Sequence, residues 1–97
     1  MKTKKEIIQI LRDVKAYLKK KYKVKTIGAF GSVVREEQTE NSDIDVLVDF
    51  EQGADLFDLV GLGFFLEEKL GSKVDVVSQR ALRKEIKQNI LHEVIPV

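Results

Sequence analysis

The sequence has 97 residues, of which 43% are hydrophobic and 34% are charged, and its formal net charge is +1. This length predicts a single domain over residues 1–97 with no room for a separate acceptor-binding domain, and the composition argues against a disordered chain. The 97 residues include no cysteine, which excludes disulfides and thiolate zinc sites.

The first predicted element is an amphipathic helix over residues 4–21. Thr3 and Glu6 have the spacing of a capping box, and apolar residues then recur at helical intervals. Although the chain starts with a basic segment, the helix carries Gln9, Arg12 and Asp13, so it cannot serve as the apolar part of a signal peptide. No apolar run reaches the roughly 20 residues of a membrane span, and we therefore expect a cytoplasmic protein without a membrane partner.

A strand is predicted next, over Val24–Phe30, and it ends at Gly31 and Ser32. Val33–Glu37 is expected to form one or two helical turns, and the polar residues 38–42 are expected to form a loop. A second strand, Asp43–Phe50, alternates apolar and polar positions. One face carries Ile44, Val46, Val48 and Phe50, and the other carries Asp43, Asp45, Leu47 and Asp49. This pattern predicts a half-buried strand with an acidic open face, on which Asp49 is expected to be solvated or structural.

The second half of the chain continues the alternation of helices and strands. Asp55 is placed to cap a helix that runs to Leu70 and stops at Gly71. A third strand is predicted over Lys73–Val77, and Ser78 is expected to cap a last helix. The apolar side of that helix would hold Leu82, Ile86 and Ile90. Phe57, Phe64 and Phe65 are expected to lie in the core or at an interface with a partner. The predicted fold class is α/β (α+β), a small mixed sheet of about three strands covered by about four helices.

The spacing that points to chemistry is Gly31-Ser32, ten residues, and then Asp43-x-Asp45. Alternation places Asp43 and Asp45 on the same strand face, about 7 Å apart along the backbone. Carboxylates this close repel each other and favour a shared cation, and their hard oxygen atoms suit Mg²⁺. Gly31 allows the backbone to approach a ligand closely, and Ser32 adds a hydroxyl and an N–H. The pattern predicts one element that holds phosphate beside one that holds a metal ion.

A third carboxylate, Asp75, is predicted on the next strand, pointing away from the apolar face. If that strand neighbours the strand of Asp43 and Asp45, three carboxylates converge. A trio of this kind could hold one or two metal ions, and Asp75 could also accept the proton of an attacking hydroxyl.

These residues resemble the motif of the minimal nucleotidyltransferases of the DNA polymerase beta superfamily. The similarity covers nearly the whole chain and is closest to the MNT-domain proteins, the antitoxins of prokaryotic HEPN/MNT toxin–antitoxin pairs. The resemblance implies that Asp43, Asp45 and Asp75 are the Mg²⁺ ligands and catalytic carboxylates, with ATP as the substrate. It also implies that Gly31 and Ser32 grip the β- and γ-phosphates, and that the protein transfers AMP to a tyrosine hydroxyl of a HEPN toxin with which it assembles.

Two residues next to the motif bear on this interpretation. Arg35 lies where the family often has a basic residue, so it is a candidate phosphate contact. Glu36 lies where many relatives have a small residue, and beside a triphosphate it would add repulsion.

Two other functions remain open from the sequence. A catalytically silent antitoxin could block its partner by contact alone, a hypothesis that Glu36 supports. Alternatively, the nucleotide could be transferred to RNA or to a small molecule. The basic segment Lys19–Lys25 gives RNA some support, although such a segment also complements a helix C-terminus.

Overall fold

The helices and strands follow the hydrophobic pattern of the chain. A computed structural model describes residues 2–97, so Met1 of the predicted 1–97 domain lies outside the described part. The helices are α1 (Lys4–Tyr22), α2 (Leu56–Leu70) and α3 (Lys84–Glu93), and the strands are β1 (Val24–Phe30), β2 (Ile44–Phe50), β3 (Val74–Ser78) and β4 (Ile95–Pro96). Two 3₁₀ turns span Gly31–Val33 and Gln79–Ala81.

Local capping signals set the ends of the first two helices. Thr3 and Glu6 form the predicted capping box, in which the Glu6 N–H donates to Thr3 Oγ1 at 3.2 Å and the Thr3 N–H donates to Glu6 Oε1 at 2.9 Å. At α2, Asp55 and Asp58 form a second box, and Gly71 ends the helix in the left-handed conformation with φ of 68°. These contacts satisfy backbone groups that a helix end leaves without partners.

The sheet has four strands in the order β3-β2-β1-β4. β1 pairs antiparallel with β2 and with β4, and β2 pairs parallel with β3. The predicted fold class is confirmed, but the predicted count of three strands is wrong because it omits β4. Two residues are too few to show alternation, and Pro96 has no N–H to donate, which restricts it to a sheet edge.

One face of the sheet forms the hydrophobic core with α1 and α2. The apolar side of β2 is buried against side chains from both helices, as the alternation predicted. The core residues of the helices include Ile7, Leu11, Leu18, Leu62, Leu66 and Leu70. No helix within residues 2–97 combines the length and the apolar character needed to cross a bilayer.

Two of the three phenylalanines predicted for the core or a partner interface are exposed, so they do not belong to the core. Phe57 and Phe64 expose 87% and 69% of their surface. Their helical phase places them on the side of α2 opposite Leu62 and Leu66, which are fully buried. Phe65 is half-buried, and its ring packs on Tyr17 with a centroid distance of 4.9 Å.

The predicted start of the last helix is also wrong. Ser78 continues β3, where it pairs with Val48, so its backbone is committed to the sheet. α3 begins at Lys84 with no side-chain hydrogen bond at its N-cap residue, Arg83. Its predicted apolar side is poorly covered, because Ile86 exposes 48% of its surface, while Leu82 and Ile90 are half-buried.

Candidate active site

The three predicted carboxylates lie at the same end of the sheet, where Asp43 and Asp75 are close enough to act electrostatically on Asp45. Asp45 lies on β2 directly beside Asp75 on β3, because the parallel register pairs these two residues. Neighbouring strands lie about 4.8 Å apart, so side chains in register stand next to each other on one face. Asp43 immediately precedes β2, two residues before Asp45. Asp43 and Asp75 are exposed, while Asp45 is partly buried.

The position of Asp45 raises the pKa of its carboxyl group above the ordinary value. Burial is the largest cause, followed by the negative charges of Asp75 and then Asp43, while Arg35 opposes the shift. The ionised form of Asp45 is therefore destabilised by its own neighbours. A cation at this end of the sheet would relieve both the desolvation and the repulsion.

Gly31 is required at the end of β1 because it faces the carboxylate of Asp45. The antiparallel register pairs Phe30 with Asp45, which brings the next residue against that side chain. A Cβ atom at residue 31 would lie 2.1 Å from Asp45 Oδ2, and the backbone has a positive φ of 76°. The sequence predicted that Gly31 allows close approach of a ligand. In the structure, the side chain that fills the space a Cβ atom of residue 31 would need is that of Asp45.

The segment after Gly31 is shorter and more irregular than predicted. The 3₁₀ turn ends at Val33, and the next residues form hydrogen-bonded turns in place of an α-helix. The Arg35 N–H donates to the Gly31 carbonyl at 3.1 Å, and the Glu37 N–H donates to the Ser32 carbonyl at 2.9 Å. Ser32 is partly buried and lies within the 3₁₀ turn Gly31–Val33.

Glu93, the last residue of α3, belongs to this site and was missed by the sequence analysis. Its Oε1 atom accepts a hydrogen bond from the Gly31 N–H at 2.7 Å and one from Arg35 Nη1 at 2.6 Å. Arg35 also lies 3.4 Å from Glu37 through its Nε atom. Because 62 residues separate Gly31 from Glu93, no local spacing could have revealed the contact.

Asp49 and the lysines at the end of α1 have contacts or positions that explain their charges without a ligand. Asp49 accepts a hydrogen bond from Arg80 at 3.2 Å, so its charge is paired away from the carboxylates, as expected for a structural residue. Lys19, Lys20 and Lys21 lie in the last turn of α1, where cations complement the helix dipole.

The carboxylates of Asp43, Asp45 and Asp75 suit a divalent cation that is also bound by phosphate oxygens of a nucleotide. Mg²⁺ commonly takes one or two protein carboxylates and completes its shell with water and phosphate oxygens. In residues 2–97, no three Asp, Glu, His or Cys side chains converge on a ready-made metal site. The donor set of Asp45, Asp75 and Asp43 is nevertheless composed of the hard oxygen atoms that Mg²⁺ prefers.

Comparison with known proteins finds relatives that match nearly the whole chain. The family model described as the nucleotidyltransferase domain matches residues 11–97. The protein adenylyltransferase MntA of Thermococcus cleftensis is 42% identical, over 100% of this chain and 98% of the relative.

Solved structures show the same fold. A structure provisionally described as a minimal nucleotidyltransferase is 38% identical, covers 95% of this chain and 94% of its own, and superposes with a TM-score of 0.83. A toxin–antitoxin crystal structure with AMP-PNP is 29% identical over 96% of this chain and 70% of its own, with a TM-score of 0.69. The complex of a tri-AMPylated Shewanella oneidensis HEPN toxin with its MNT antitoxin is 26% identical over 96% and 66%, with a TM-score of 0.60.

The family match extends over most of the chain, and the resemblance found in the sequence is thereby confirmed. The fold places Gly31 against Asp45, and Asp45 against Asp75. The chain belongs to the nucleotidyltransferase domain family and is a minimal member of it.

Proposed function

We propose that this nucleotidyltransferase, acting as a single domain, transfers AMP from ATP to a tyrosine hydroxyl of a partner HEPN toxin and thereby acts as an antitoxin. The observation that carries the proposal is the in-register pair of Asp45 and Asp75 beside the glycine turn at Gly31. The T. cleftensis relative is a protein adenylyltransferase, and the S. oneidensis complex contains an AMPylated HEPN toxin.

The reaction is a displacement at the α-phosphorus of ATP. The hydroxyl oxygen of the acceptor forms a bond to this phosphorus, the bond to the bridging oxygen of the β-phosphate breaks, and pyrophosphate leaves. Asp75 is exposed and would take the proton of the acceptor hydroxyl. The side chain thus contributes a base where the acceptor would enter.

The remaining site residues bind and orient the nucleotide. Asp43, Asp45 and Asp75 would hold one or two Mg²⁺ ions, which supply neutralisation of phosphate charge. The Gly31 N–H, Ser32 and the Arg35 guanidinium would contact the β- and γ-phosphates. Fixed donors and a fixed cluster lower the barrier mainly by positioning and by stabilising charge that develops in the transition state.

A partner chain would present the acceptor, so we propose a hetero-oligomer with the toxin in the cytoplasm, where ATP is available. The S. oneidensis complex pairs an MNT antitoxin with a HEPN toxin, which supports this type of assembly for the present chain.

A second candidate function is neutralisation by contact alone. The Glu93 carboxylate accepts hydrogen bonds from the Gly31 N–H and from Arg35, the donors that a phosphate would need. A site permanently closed in this way would leave binding of the toxin as the only activity. Transfer to RNA or to a small molecule remains an outcome that the same assay detects.

The experiment is a labelling reaction with ATP carrying a labelled α-phosphate, Mg²⁺, the partner toxin and host RNA. Asp45→Asn should lower transfer to the toxin by at least about 100-fold, the scale of losing one electrostatic element of an active site. Asp49→Asn is the matched control, because it changes the same strand face but a residue paired with Arg80.

The result separates the candidate functions. Label on the toxin that needs Asp45 but not Asp49 supports AMP transfer. Label on RNA moves the function to nucleic acid. Absence of label, with toxin still neutralised by Asp45→Asn, favours the contact-only antitoxin.

A further inference from the structure

Glu93 engages the two hydrogen-bond donors best placed to bind an anionic ligand. Its Oε1 atom lies 2.7 Å from the Gly31 nitrogen and 2.6 Å from Arg35 Nη1. The glutamate side chain is mostly covered, with 26% of its surface exposed. Both contacts are charge-assisted, which makes them shorter and stronger than hydrogen bonds between neutral groups.

A carboxylate oxygen and a phosphate oxygen both accept hydrogen bonds, so they compete for the same donors. The Gly31 N–H has one hydrogen, so it cannot fully serve Glu93 and a phosphate at the same time. Arg35 is similarly neutralised while it pairs with Glu93. In addition, Glu93 adds a negative charge beside the acidic cluster, since it is among the groups that raise the pKa of Asp45.

We infer that Glu93 is an internal competitor for the phosphates of the nucleotide, a carboxylate that holds the Gly31 N–H and Arg35 until ATP displaces it. The inference rests on the proposed function, because it assigns Gly31 and Arg35 to the phosphates. Glu93 is a positioning residue in this scheme: it keeps the donors oriented in the free protein and leaves them when the nucleotide binds.

The packing of α3 allows this exchange. Each residue of the range 84–93, all of it described by the structure, is at least partly exposed, so α3 adds no fully buried side chain to the core. The chain after Glu93 is held more firmly, since Ile95 pairs with Ala29 and the Val97 N–H donates to the Ile27 carbonyl at 3.0 Å. Rotation of the Glu93 side chain would therefore free the donors without removing β4 from the sheet.

The test is nucleotide affinity, measured by calorimetry with Mg²⁺-ATP and with inorganic tripolyphosphate. Glu93→Gln keeps an acceptor for the Gly31 N–H but removes the charge. It should lower Kd by about tenfold, because a hydrogen bond to a charged group accounts for a factor of that order. Glu85→Gln, an exposed glutamate in the first turn of the same helix, should leave Kd unchanged.

A second measurement follows Glu93 itself in the wild-type protein. The carboxyl carbon resonance of Glu93 and the amide resonance of Gly31 should both shift as tripolyphosphate is added. This measurement decides the question if circular dichroism shows that Glu93→Gln does not fold.

Each outcome has a distinct meaning. Tighter binding by Glu93→Gln than by the wild type and Glu85→Gln supports the competition. Equal or weaker binding overturns the competition and leaves the proposed function standing. Saturable binding of tripolyphosphate without any change at the Glu93 carboxyl overturns it as well. Failure of both the wild type and Glu93→Gln to bind ATP or tripolyphosphate overturns the inference together with the nucleotide site.

Discussion

The two faces of β2 are built from alternate residues of one strand, yet they have opposite physical character. On one face, Ile44, Val46 and Val48 are buried in the core under α1 and α2. On the other, Asp45 is partly buried against other carboxylates, and its pKa is raised by that environment. The apolar face stabilises the fold, while on the acidic face burial and neighbouring charges destabilise the ionised form of Asp45.

This difference shows how a small domain carries a charged site. The core face fixes the register of β1, β2 and β3, and the register then forces Asp45 beside Asp75 and Gly31. Since a one-residue slip would move every core residue of β2 to the open face, stability and site geometry depend on the same strand pairing. Substitutions that keep this pairing should nevertheless separate the two properties: those on the apolar face should lower stability, and those on the acidic face should lower activity.

The largest expected loss of stability comes from Ile44→Ala on the apolar face. Ile44 is 3% exposed, so the change removes buried methyl and methylene groups and leaves a cavity. The free energy of unfolding should fall by roughly 2–5 kcal/mol, a large share of the total for a small domain. Urea denaturation measures it, with Thr26→Ala, exposed on β1, as a control expected to stay within about 0.5 kcal/mol. Equal effects of the two substitutions would contradict the assigned core.

Gly31→Ala tests whether the pairing of β1 with β2 fits residue 31 closely against the Asp45 carboxylate. The added Cβ atom would overlap Asp45 Oδ2 and would sit at a φ of 76°, where a side chain is strained. We expect a loss of roughly 1–3 kcal/mol in the free energy of unfolding, combining left-handed backbone strain with overpacking. In an Asp45→Ala background, the overlap is absent and the cost should shrink to the backbone part. A double-mutant cycle in urea that gives no coupling would show that Gly31 is not shaped by Asp45.

The elements that local patterns control were predictable from the sequence. Capping boxes at Thr3 and Asp55, and the alternation of β2, each act within a few residues. The sequence predicted that Asp45 and Asp75 would lie side by side if their two strands were neighbours in the sheet. In the structure these strands are neighbours, and the two residues pair in register.

What could not be predicted depends on distant contacts. β4 forms only because residues after α3 return to the edge of β1, and Glu93 reaches Gly31 across 62 positions of the chain. The exposure of Phe57 and Phe64 is a matter of helical phase relative to a core whose position the sequence did not define. In each case, the local sequence is compatible with more than one structure, and contacts between distant parts of the chain determine which one forms.

Asp45→Asn should stabilise the protein at neutral pH while removing its activity. The pKa of Asp45 is raised above its ordinary value of 3.8 by burial, by Asp75 and by Asp43. Because the folded state keeps this proton after the unfolded chain has lost it, stability falls as the pH rises from the ordinary value through the raised one. The melting temperature of Asp45→Asn should exceed that of the wild type at pH 7, and the gap should close below the ordinary pKa. Thermal melts from pH 3 to 8 measure it, and a gap that does not depend on pH would refute the electrostatic explanation.

The smallest expected effect concerns Glu36, in the turns that follow the 3₁₀ segment Gly31–Val33. Glu36 has a φ of 58°, one of two positive values among the non-glycine residues of the range 2–97. This backbone conformation favours a small residue and above all glycine, so the glutamate at this position is strained. Glu36→Gly should raise the free energy of unfolding by up to about 1 kcal/mol, because it removes left-handed strain but adds chain entropy to the unfolded state. Glu37→Gly, the next residue and outside the left-handed region, should lower it by about 0.5–1 kcal/mol, since glycine there adds entropy without relieving strain. Opposite signs for the two neighbours in urea denaturation would establish that the turn at Glu36 stores backbone strain, and equal signs would exclude it.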